Sequence, residues 1–369
     1  MKIRFHKIAI IMCYAVLATA CNGNISAQQT DETKSSNSSQ NLNSDTLTIA
    51  MSGDTMFGTD WPASKLAAND GKHLFEHIAD INRSADLAVG NLEGVFCDES
   101  VPPNNSDTRF YSFRFPARYA PRLVEAGYDF MCMANNHAYD FKEEGMRQTK
   151  ATLDQYGIAH TGIKGETEYV ILERSGVKFG ICAFGHNWYT IQHIYLENVQ
   201  RVLKALRPQC DILVVTFHGG AEGRDCRHLP EGEEFFLDAS RGSLRKMAHF
   251  CVDNGADVVF GHGPHVVRCM ELYKDRLIAY SLGNFCTPYS MSISDITGYA
   301  PLLVERVDRS GRFIDAKIHS FIQQPGIGPR RDPSCKVAKE IRELTESDIT
   351  DSHLIIDDQG NVSRKNVGN

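Results

Sequence analysis

The chain has 369 residues, of which 39 are Lys or Arg and 46 are Asp or Glu, so its formal net charge is −7. Hydrophobic residues make up 42% and charged residues 23%, which is typical of a globular protein and excludes collagen-like and low-complexity chains. The acidic balance disfavours a protein that binds nucleic acid, and no apolar run beyond the first 20 residues is long enough to span a membrane.

Residues 1–20 are predicted to be a signal peptide. Three basic residues and no acidic residue precede the apolar run at 8–20, the arrangement of a secretory signal. Cys21 follows the small residues Ala18 and Ala20, which makes it a candidate lipidation site of a bacterial lipoprotein; ordinary secretion is the alternative. We therefore expect export to the bacterial cell envelope, with a lipid anchor to the membrane or otherwise as a periplasmic or secreted protein.

The next segment, 21–44, is rich in Ser, Asn and Gln and is predicted to be a flexible tether. Without residues 1–20 the chain has 36 basic and 46 acidic residues, a net charge of −10. We place one domain at 45–324 and a polar C-terminal tail, with a weak helix at 336–346, at 325–369. The nine cysteines after Cys21 include no C-x-x-C pair, so most are expected to be free, buried thiols.

From residue 47 short apolar strands alternate with helical stretches. Continuous apolar runs are typical of strands buried on both faces, and they lie at 47–53, 86–91, 128–134, 169–174, 177–184, 211–217, 256–261 and 277–282. Helices are predicted at about 71–83, 118–126, 142–156, 196–206 and 244–254, and a closing hairpin turns at 308–311. This order predicts an α/β fold with layered sheets and helices.

Several predicted strands end in polar residues. In open α/β sheets ligands bind beyond the carboxyl ends of the strands, so side chains at these ends are expected to converge. Five strand ends carry Asp54, Asn91, Glu93, Asn135, Asn136, His137, Asp140, His218, Glu222, His262 and His265. Carboxylate, amide and imidazole groups suit divalent first-row metals such as Mn, Zn or Fe, and two such ions can share and activate one water.

Six sequence blocks between about residues 47 and 321 resemble the poly-γ-glutamate capsule synthesis (CapA) family, a relative of the calcineurin-like metallophosphoesterases. The blocks are Gly53-Asp54-x-Met56, Gly90-Asn91-Leu92-Glu93, Ala134-Asn135-Asn136-His137-x-x-Asp140, His218-x-Gly220-x-Glu222, Gly261-His262-x-Pro264-His265-Val266 and Tyr280-Ser281-Leu282-Gly283-Asn284-Phe285. The resemblance implies a metallophosphoesterase-like sandwich with a metal site at the carboxyl ends of its strands.

The resemblance also implies roles for single residues. It implies one or two divalent ions held by Asp54, Glu93, Asn136, His218, His262 and His265, with Glu93 in the place of a bridging Asp. His137 would be catalytic beside them, with Asp140 orienting its ring. The chain departs from the phosphoesterase pattern where Met56 stands in place of the His of a DxH pair, and where GNLE replaces GDxxD.

Other residues are weaker candidates. Asn91, Glu222 and Asn284 are secondary candidates for the site, and His186 follows a strand in the same way. The loop that carries Arg109, Arg114 and Arg118 either presents guanidinium groups to an anionic substrate or is simply a solvated loop with aromatic anchors.

These observations favour a surface protein of capsule or poly-γ-glutamate biosynthesis that hydrolyses a cell-surface polymer or phosphoester with metal-activated water. The expected partners are that anionic polymer or phosphoester, the membrane through the lipid anchor, and capsule synthesis or export proteins; nucleic acid is not expected. The alternative is a non-catalytic accessory protein that binds poly-γ-glutamate or scaffolds an export complex. A third interpretation is a surface lipoprotein whose site has decayed.

Overall fold

Residues 46–108 and 111–365 are described by the structure, which is a computed structural model. Its strands are β1 (Thr46–Thr55), β2 (Gly58–Thr59), β3 (Lys65–Leu66), β4 (Leu87–Leu92), β5 (Val95–Phe96), β6 (Arg114–Phe115), β7 (Phe130–Cys132), β8 (Ala159–Thr161), β9 (Tyr169–Arg174), β10 (Val177–Phe184), β11 (Ile212–His218), β12 (Glu234–Phe236), β13 (Ala239–Gly242), β14 (Val258–His262), β15 (Met270–Tyr273), β16 (Arg276–Ala279), β17 (Asn284–Cys286), β18 (Tyr299–Asp308), β19 (Phe313–Gln324), β20 (Gly328–Arg331), β21 (Leu354–Ile356) and β22 (Asn361–Arg364). The α-helices are α1 (Ala79–Ser84), α2 (Pro121–Glu125), α3 (Lys142–Gln155), α4 (Leu196–Leu206), α5 (Leu244–Asp253) and α6 (Lys336–Asp348).

Two large sheets dominate the fold. The first has the order β21-β22-β19-β18-β1-β4-β7-β8, with β17 also paired to β1 and β20 to β19. The second has the order β15-β16-β14-β11-β10-β9. Strands β1, β4 and β7 run parallel in the first sheet, and β10, β11 and β14 run parallel in the second. In each sheet, the carboxyl ends of these neighbouring parallel strands therefore lie side by side.

The core lies between the two sheets and on both sides of the larger one. Ile49 and Met51 of β1 belong to the same buried cluster as Phe179 of β10, whereas Ala50 belongs to a second cluster. This alternation follows from the two-residue period of a strand. Because both faces of β1 are covered, its sequence is almost continuously apolar. Helices α4 and α5 pack against β10 and β14 of the second sheet.

The predicted α/β layered sandwich is confirmed. The predicted helix at 71–83 is wrong in its length, since the α-helix covers only Ala79–Ser84. Upstream of α1, the backbone carbonyls of His73 and His77 accept hydrogen bonds from the side chains of Arg330 and Arg331. These carbonyl groups thus accept hydrogen bonds from distant side chains, whereas in a longer helix they would accept them from backbone N–H groups of the helix itself.

The segment predicted to be a polar tail contains regular structure. Helix α6 contains the predicted helix at 336–346, and β20, β21 and β22 extend the larger sheet. Val337 and Ile341 of α6 are fully buried in the core cluster between the sheets. The polar composition reflects one exposed face of an amphipathic helix. Residues 328–364 therefore pack as part of the fold, which corrects the expectation of a peripheral tail.

The predicted signal peptide, the tether and Cys21 lie outside the described residues. Within 46–108 and 111–365 the helices are all too short or too polar to cross a membrane. The nine cysteines in this part of the chain are free, and six of them are buried. The expectation of free thiols is confirmed for these nine.

Candidate metal centre

Five predicted ligand residues meet at the carboxyl ends of the parallel strands. Asp54 is the penultimate residue of β1, and Glu93 follows β4. His218 and His262 end β11 and β14, and His265 lies in the next loop. Register places His218 directly beside His262 across the β11–β14 pair. Two groups have all their ligand atoms within 4.8 Å of one another, one made of Asp54, His218 and His262 and one of Asp54, Glu93 and His265. Asp54 belongs to both groups.

The contacts among these side chains are short. Asp54 Oδ2 lies 3.1 Å from His265 Nδ1, and Asp54 Oδ1 lies 3.6 Å from His262 Nδ1. The Nδ1 atoms of His218 and His262 are 2.9 Å apart. Two imidazole nitrogens at this distance either share one proton or face a common cation. Asp54, His218 and His262 are fully buried, so water does not screen these interactions.

Several buried polar atoms at this point have no hydrogen-bond partner in the part of the chain that the structure describes. In the cluster they are both carboxylate oxygens of Glu93 and Nε2 of His218; Oδ1 of Asn136, the residue before His137, is also unpaired. Glu93 Oε1 lies 3.8 Å from His265 Nε2 and 3.9 Å from the Nε2 atoms of His218 and His137. Native proteins rarely bury polar atoms unpaired, and carboxylate, amide and imidazole donors bind first-row divalent metals. The residues present therefore fit a divalent metal ion.

Burial and mutual charge separate the pKa values of the cluster. Burial pushes the pKa of Asp54 up, but hydrogen bonding and attraction to His265 outweigh it and lower the value. Burial and the nearby Asp54 charge raise the pKa of Glu93. Burial lowers the pKa of His262 to about 4 and that of His218 well below its usual value. Burial opposes protonation of His265, yet Glu93 and Asp54 raise its pKa to about 10. His218 and His262 are thus held neutral, the form that binds metals.

Two asparagines hold Asp54 and the following loop in place. Asn91 Nδ2 donates to Asp54 Oδ1 at 2.8 Å, and Asn91 Oδ1 accepts from Asn135 Nδ2 at 3.0 Å. Asn135 Oδ1 in turn accepts from the backbone N–H of His137 at 3.1 Å. Asn91, a secondary candidate, therefore orients a carboxylate. Asn135 received no role from the sequence, although it lies inside the recognisable ANNHAYD block.

The side chain of His137 is fixed from two sides. Its Nδ1 lies 2.8 Å from Asp140 Oδ2, which also accepts the backbone N–H of Phe113 at 2.7 Å. The imidazole ring packs against Phe113, with ring centroids 4.2 Å apart. Since Nδ1 is turned to Asp140, Nε2 is the atom that faces Glu93 and the cluster.

The other two secondary candidates both contact His265. Asn284 Oδ1 lies 3.0 Å from His265 Nδ1. The amide of Asn284 is oriented because its Nδ2 donates to the backbone carbonyls of Ser292, Thr297 and His265 itself. Glu222 Oε2 lies 3.8 Å from His265 Nε2. Both side chains therefore lie against His265.

Position 56 contributes no imidazole to the site. Met56 is fully buried, and its Sδ accepts the backbone N–H of Gly58 at 2.9 Å. The rings that contact Asp54 come instead from His262 and from His265, which lies 211 positions away in the chain.

Two buried histidines and one arginine border the site, and the sequence marked only His186 among them, as a weaker candidate. His186 and His193 donate to the backbone carbonyl of His218 at 3.4 and 3.2 Å. Burial lowers the pKa of His186 to about 3 and that of His193 to about 4. Arg241 on β13 lies with Nη1 2.7 Å from Glu222 Oε1. His193 and Arg241 follow no conspicuous strand end, so nothing in their local sequence marked them.

The arginine-rich loop does not supply a free guanidinium in the described residues. Arg114 is buried, pairs with Asp60 and donates to the backbone carbonyls of Glu99 and Val101. Arg118 pairs with Asp70 at the surface. Arg109 lies outside the described residues. The structure favours a structural role for Arg114.

Fold and site together define a layered α/β protein with a candidate divalent-metal centre at the carboxyl ends of its strands. The family model described as bacterial capsule synthesis protein PGA_cap matches residues 48–289. The chain belongs to this family, as the resemblance of its sequence blocks predicted.

Relatives in sequence include proteins of capsule biosynthesis. The capsule biosynthesis protein CapA of Bacillus anthracis is 25% identical over 260 residues, which cover 65% of this chain and 59% of that protein. The PGA biosynthesis protein CapA of Bacillus subtilis (strain 168) is 24% identical, with 82% of this chain and 78% of that protein covered. An uncharacterized protein of Sinorhizobium fredii, y4sH, is 26% identical over 65% of this chain and 67% of its own length.

Solved structures with some similarity include two from Thermus thermophilus. A hypothetical protein matches with a TM-score of 0.47 and 17% identity, covering 75% of this chain and 99% of that chain. A 5'-nucleotidase precursor matches with a TM-score of 0.41 and 14% identity, covering 77% of this chain and 56% of that chain.

Proposed function

We propose that this protein acts in capsule biosynthesis at the cell envelope as a divalent-metal-dependent hydrolase of an anionic cell-surface polymer or phosphoester. One observation carries the proposal. The ligand atoms of five side chains converge, those of Asp54, Glu93, His218, His262 and His265. Among them, the buried oxygens of Glu93 and the buried Nε2 of His218 have no hydrogen-bond partner in the described residues. The membership of the PGA_cap family supports the cell-surface setting. The names of the two CapA relatives point the same way.

In this proposal Asp54, Glu93, Asn136, His218, His262 and His265 hold one or two ions of Mn, Zn or Fe. The chemistry that such an ion supplies is activation of water and polarisation of the bond that is cleaved.

His137 provides the proton chemistry beside the metal ligands. Asp140 accepts from Nδ1 and so fixes the tautomer and the ring orientation. Nε2 then faces the cluster; in the imidazolium form, which also has a proton on Nε2, His137 would donate that proton to the leaving group or stabilise the negative charge that develops there. Tyr189 supports this segment, because its hydroxyl donates to the backbone carbonyl of Asn136 at 2.8 Å.

The alternative function is a non-catalytic accessory protein that binds poly-γ-glutamate or scaffolds an export complex. The buried position of Met56 favours it, since one ligand of the phosphoesterase pattern is missing there. Polymer binding that persists in metal-free protein carrying His137→Ala would support this alternative.

The test is elemental analysis followed by an activity assay. Purified protein should retain Mn, Zn or Fe in at least a one-to-one ratio, and metal-loaded protein should hydrolyse a model phosphodiester or a γ-linked glutamate polymer. His218→Ala should lower the metal content. His137→Ala should retain metal but lose activity by about a hundredfold or more.

His77→Ala is the matched control, because the side chain of this histidine is partly exposed and pairs with Glu76. It should leave metal content and activity unchanged. Protein that holds no stoichiometric metal even after reloading would refute the proposed function.

A further inference from the structure

Arg241 is a buried cation beside the candidate metal centre. It lies on β13, which pairs only with β12, and its exposure is 6%. Its backbone carbonyl accepts the N–H of Gly220, in the loop that follows β11. This hydrogen bond ties β13 to the strand end that carries His218.

A second buried arginine nearby, Arg268, shows how a guanidinium with a structural role is hydrogen-bonded in this protein. Arg268 is fully buried and binds both carboxylate oxygens of Glu234, at 2.8 and 2.7 Å. Its Nε donates to the carbonyl of Cys226 at 2.9 Å, and Nη2 also reaches that of Ala221. Every nitrogen of the Arg268 fork is therefore occupied.

Arg241 differs in that two of its donors, Nε and Nη1, are buried and lack a hydrogen bond with any described residue. Nη1 lies 2.7 Å from Glu222 Oε1, but the two groups are not aligned as a hydrogen bond. The guanidinium carbon lies 5.0 Å from the centre of the Phe236 ring. A buried fork with open donors is costly unless something else binds to it.

A single side chain separates the unpaired donors of Arg241 from the candidate metal ligands. Glu222 bridges the two, because its Oε1 contacts Arg241 while its Oε2 lies 3.8 Å from His265 Nε2. Burial is the main cause of the lowered pKa of His186, and the positive charge of Arg241 is the second. The guanidinium therefore belongs to the same electrostatic environment as the site.

We propose that Arg241 binds an oxyanion of the substrate, a carboxylate or a phosphate, and that Glu222 occupies this position in the free protein. The planar fork of a guanidinium matches both oxyanions and binds them through two parallel hydrogen bonds. Glu222 neutralises the buried cation until the substrate arrives. This inference rests on the proposed function for the identity of the substrate, and it gives a net-acidic protein one local site for an anion.

The test measures binding of two probes, inorganic phosphate and a γ-linked glutamate trimer, to the full-length protein by calorimetry after metal removal by a chelator. Arg241→Gln should weaken binding of at least one probe about tenfold or more. Arg241→Lys, which keeps the charge but loses the fork, should bind with intermediate affinity. Glu222→Gln should strengthen binding, because the competing internal carboxylate is gone. The probe that is affected distinguishes a phosphate from a carboxylate substrate.

Arg118→Gln is the matched control, since this arginine pairs with Asp70 at the surface and should not affect binding. Unchanged affinity of Arg241→Gln for both probes, or no binding by the wild-type protein, would overturn the inference. If Arg241→Gln does not fold, Glu222→Gln decides, and unchanged or weaker binding by that variant overturns it. Metal content and hydrolysis are measured separately, so failure of the proposed function is distinguished from failure of this one.

Discussion

At the scale of single residues, the candidate site contains several buried polar atoms without a hydrogen-bond partner among the described residues, as does Glu305 on β18 outside it. Glu93 is fully buried with neither carboxylate oxygen hydrogen-bonded among the described residues. Elsewhere, the buried fork of Arg268 is completely paired with Glu234 and backbone carbonyls. Unpaired groups of this kind cost stability and are tolerated where they serve binding or chemistry.

Replacing Glu93 with Gln should separate binding from stability. We expect the free energy of unfolding of the metal-free variant to be no lower than that of the metal-free wild-type protein. The reason is that the substitution removes a buried, unpaired carboxyl group next to Asp54. The affinity for Mn, Zn or Fe should fall by more than about tenfold. Urea unfolding and metal titration measure the two effects.

The control for this substitution is Glu99→Gln, at an exposed position a few residues along the chain. It should change neither quantity. A Glu93→Gln variant that binds metal as tightly as the wild-type protein would remove Glu93 from the ligand set.

The sequence predicted the site residues that stand at strand ends, and it missed those that do not. Asp54 lies one residue before the end of β1 and His218 ends β11, so a local pattern reveals them. Arg241 lies on a two-stranded ribbon, and only the tertiary fold brings it to Glu222. Asn135 was visible in its motif, but its bonds to Asn91 and to the backbone of His137 depend on three-dimensional packing.

At the scale of elements, apolar patterning explains what the sequence predicted well: continuous apolar runs mark the buried strands, and helical spacing marks the helices. Helices α4 and α5 were predicted to within one residue at their ends, because apolar spacing alone defines them. Helix α1 was predicted too long, since Arg330 and Arg331 bind carbonyls in the turn before it. A short stretch of sequence does not reveal contacts with residues so far away in the chain.

Helix α6 should contribute to the stability of the whole fold. Ile341→Ala removes a fully buried side chain between the sheets and should lower the free energy of unfolding by about 2–5 kcal/mol. Glu343→Ala, at an exposed position of the same helix, is the control and should have an effect below about 0.5 kcal/mol. Equal effects of the two substitutions in denaturant unfolding would show that α6 does not stabilise the domain.

A buried carboxylate connects α5 to the second sheet and should make stability depend on pH. Glu271 on β15 binds His249 Nε2 at 3.0 Å, the hydroxyl of Tyr280 at 2.7 Å and Arg245 Nη2 at 3.3 Å. Burial alone would raise the pKa of Glu271, but these hydrogen bonds lower it to about 2. The stabilisation is therefore complete above the unfolded value, about 4.3, and is lost as the pH falls through about 2.

Glu271→Gln should consequently destabilise the protein by about 1–3 kcal/mol at pH 6, and by progressively less as the pH falls from about 4.3 toward 2. Urea unfolding across this range measures the difference between the two proteins. Glu231→Gln is the control, because Glu231 contacts the same arginine but is exposed. A destabilisation that does not change with pH would argue against a charged Glu271.

At the scale of the whole molecule, the candidate site joins the two sheets. Asp54 belongs to the larger sheet, whereas His218 and His262 belong to the smaller one. A bound ion would therefore cross-link the two halves of the core. We expect metal at one hundred times its dissociation constant to raise the free energy of unfolding by about 2.7 kcal/mol.

Calorimetric melting of chelated and metal-loaded protein checks this expectation. The increase should disappear in the variant His218→Ala, which removes one of the two ligands on the strands of the smaller sheet. An equal increase in that variant would place the stabilising ion elsewhere.

The span of the chain between ligands has a kinetic consequence. Asp54 and His265 lie in contact although 211 positions separate them. Contacts between such distant positions form late, since a long loop must close before they repay its entropy. During synthesis, a chain that has been made only as far as the first strands of the larger sheet therefore lacks part of the ligand set. Metal capture would mark the end of folding, and an ion could not template the early steps.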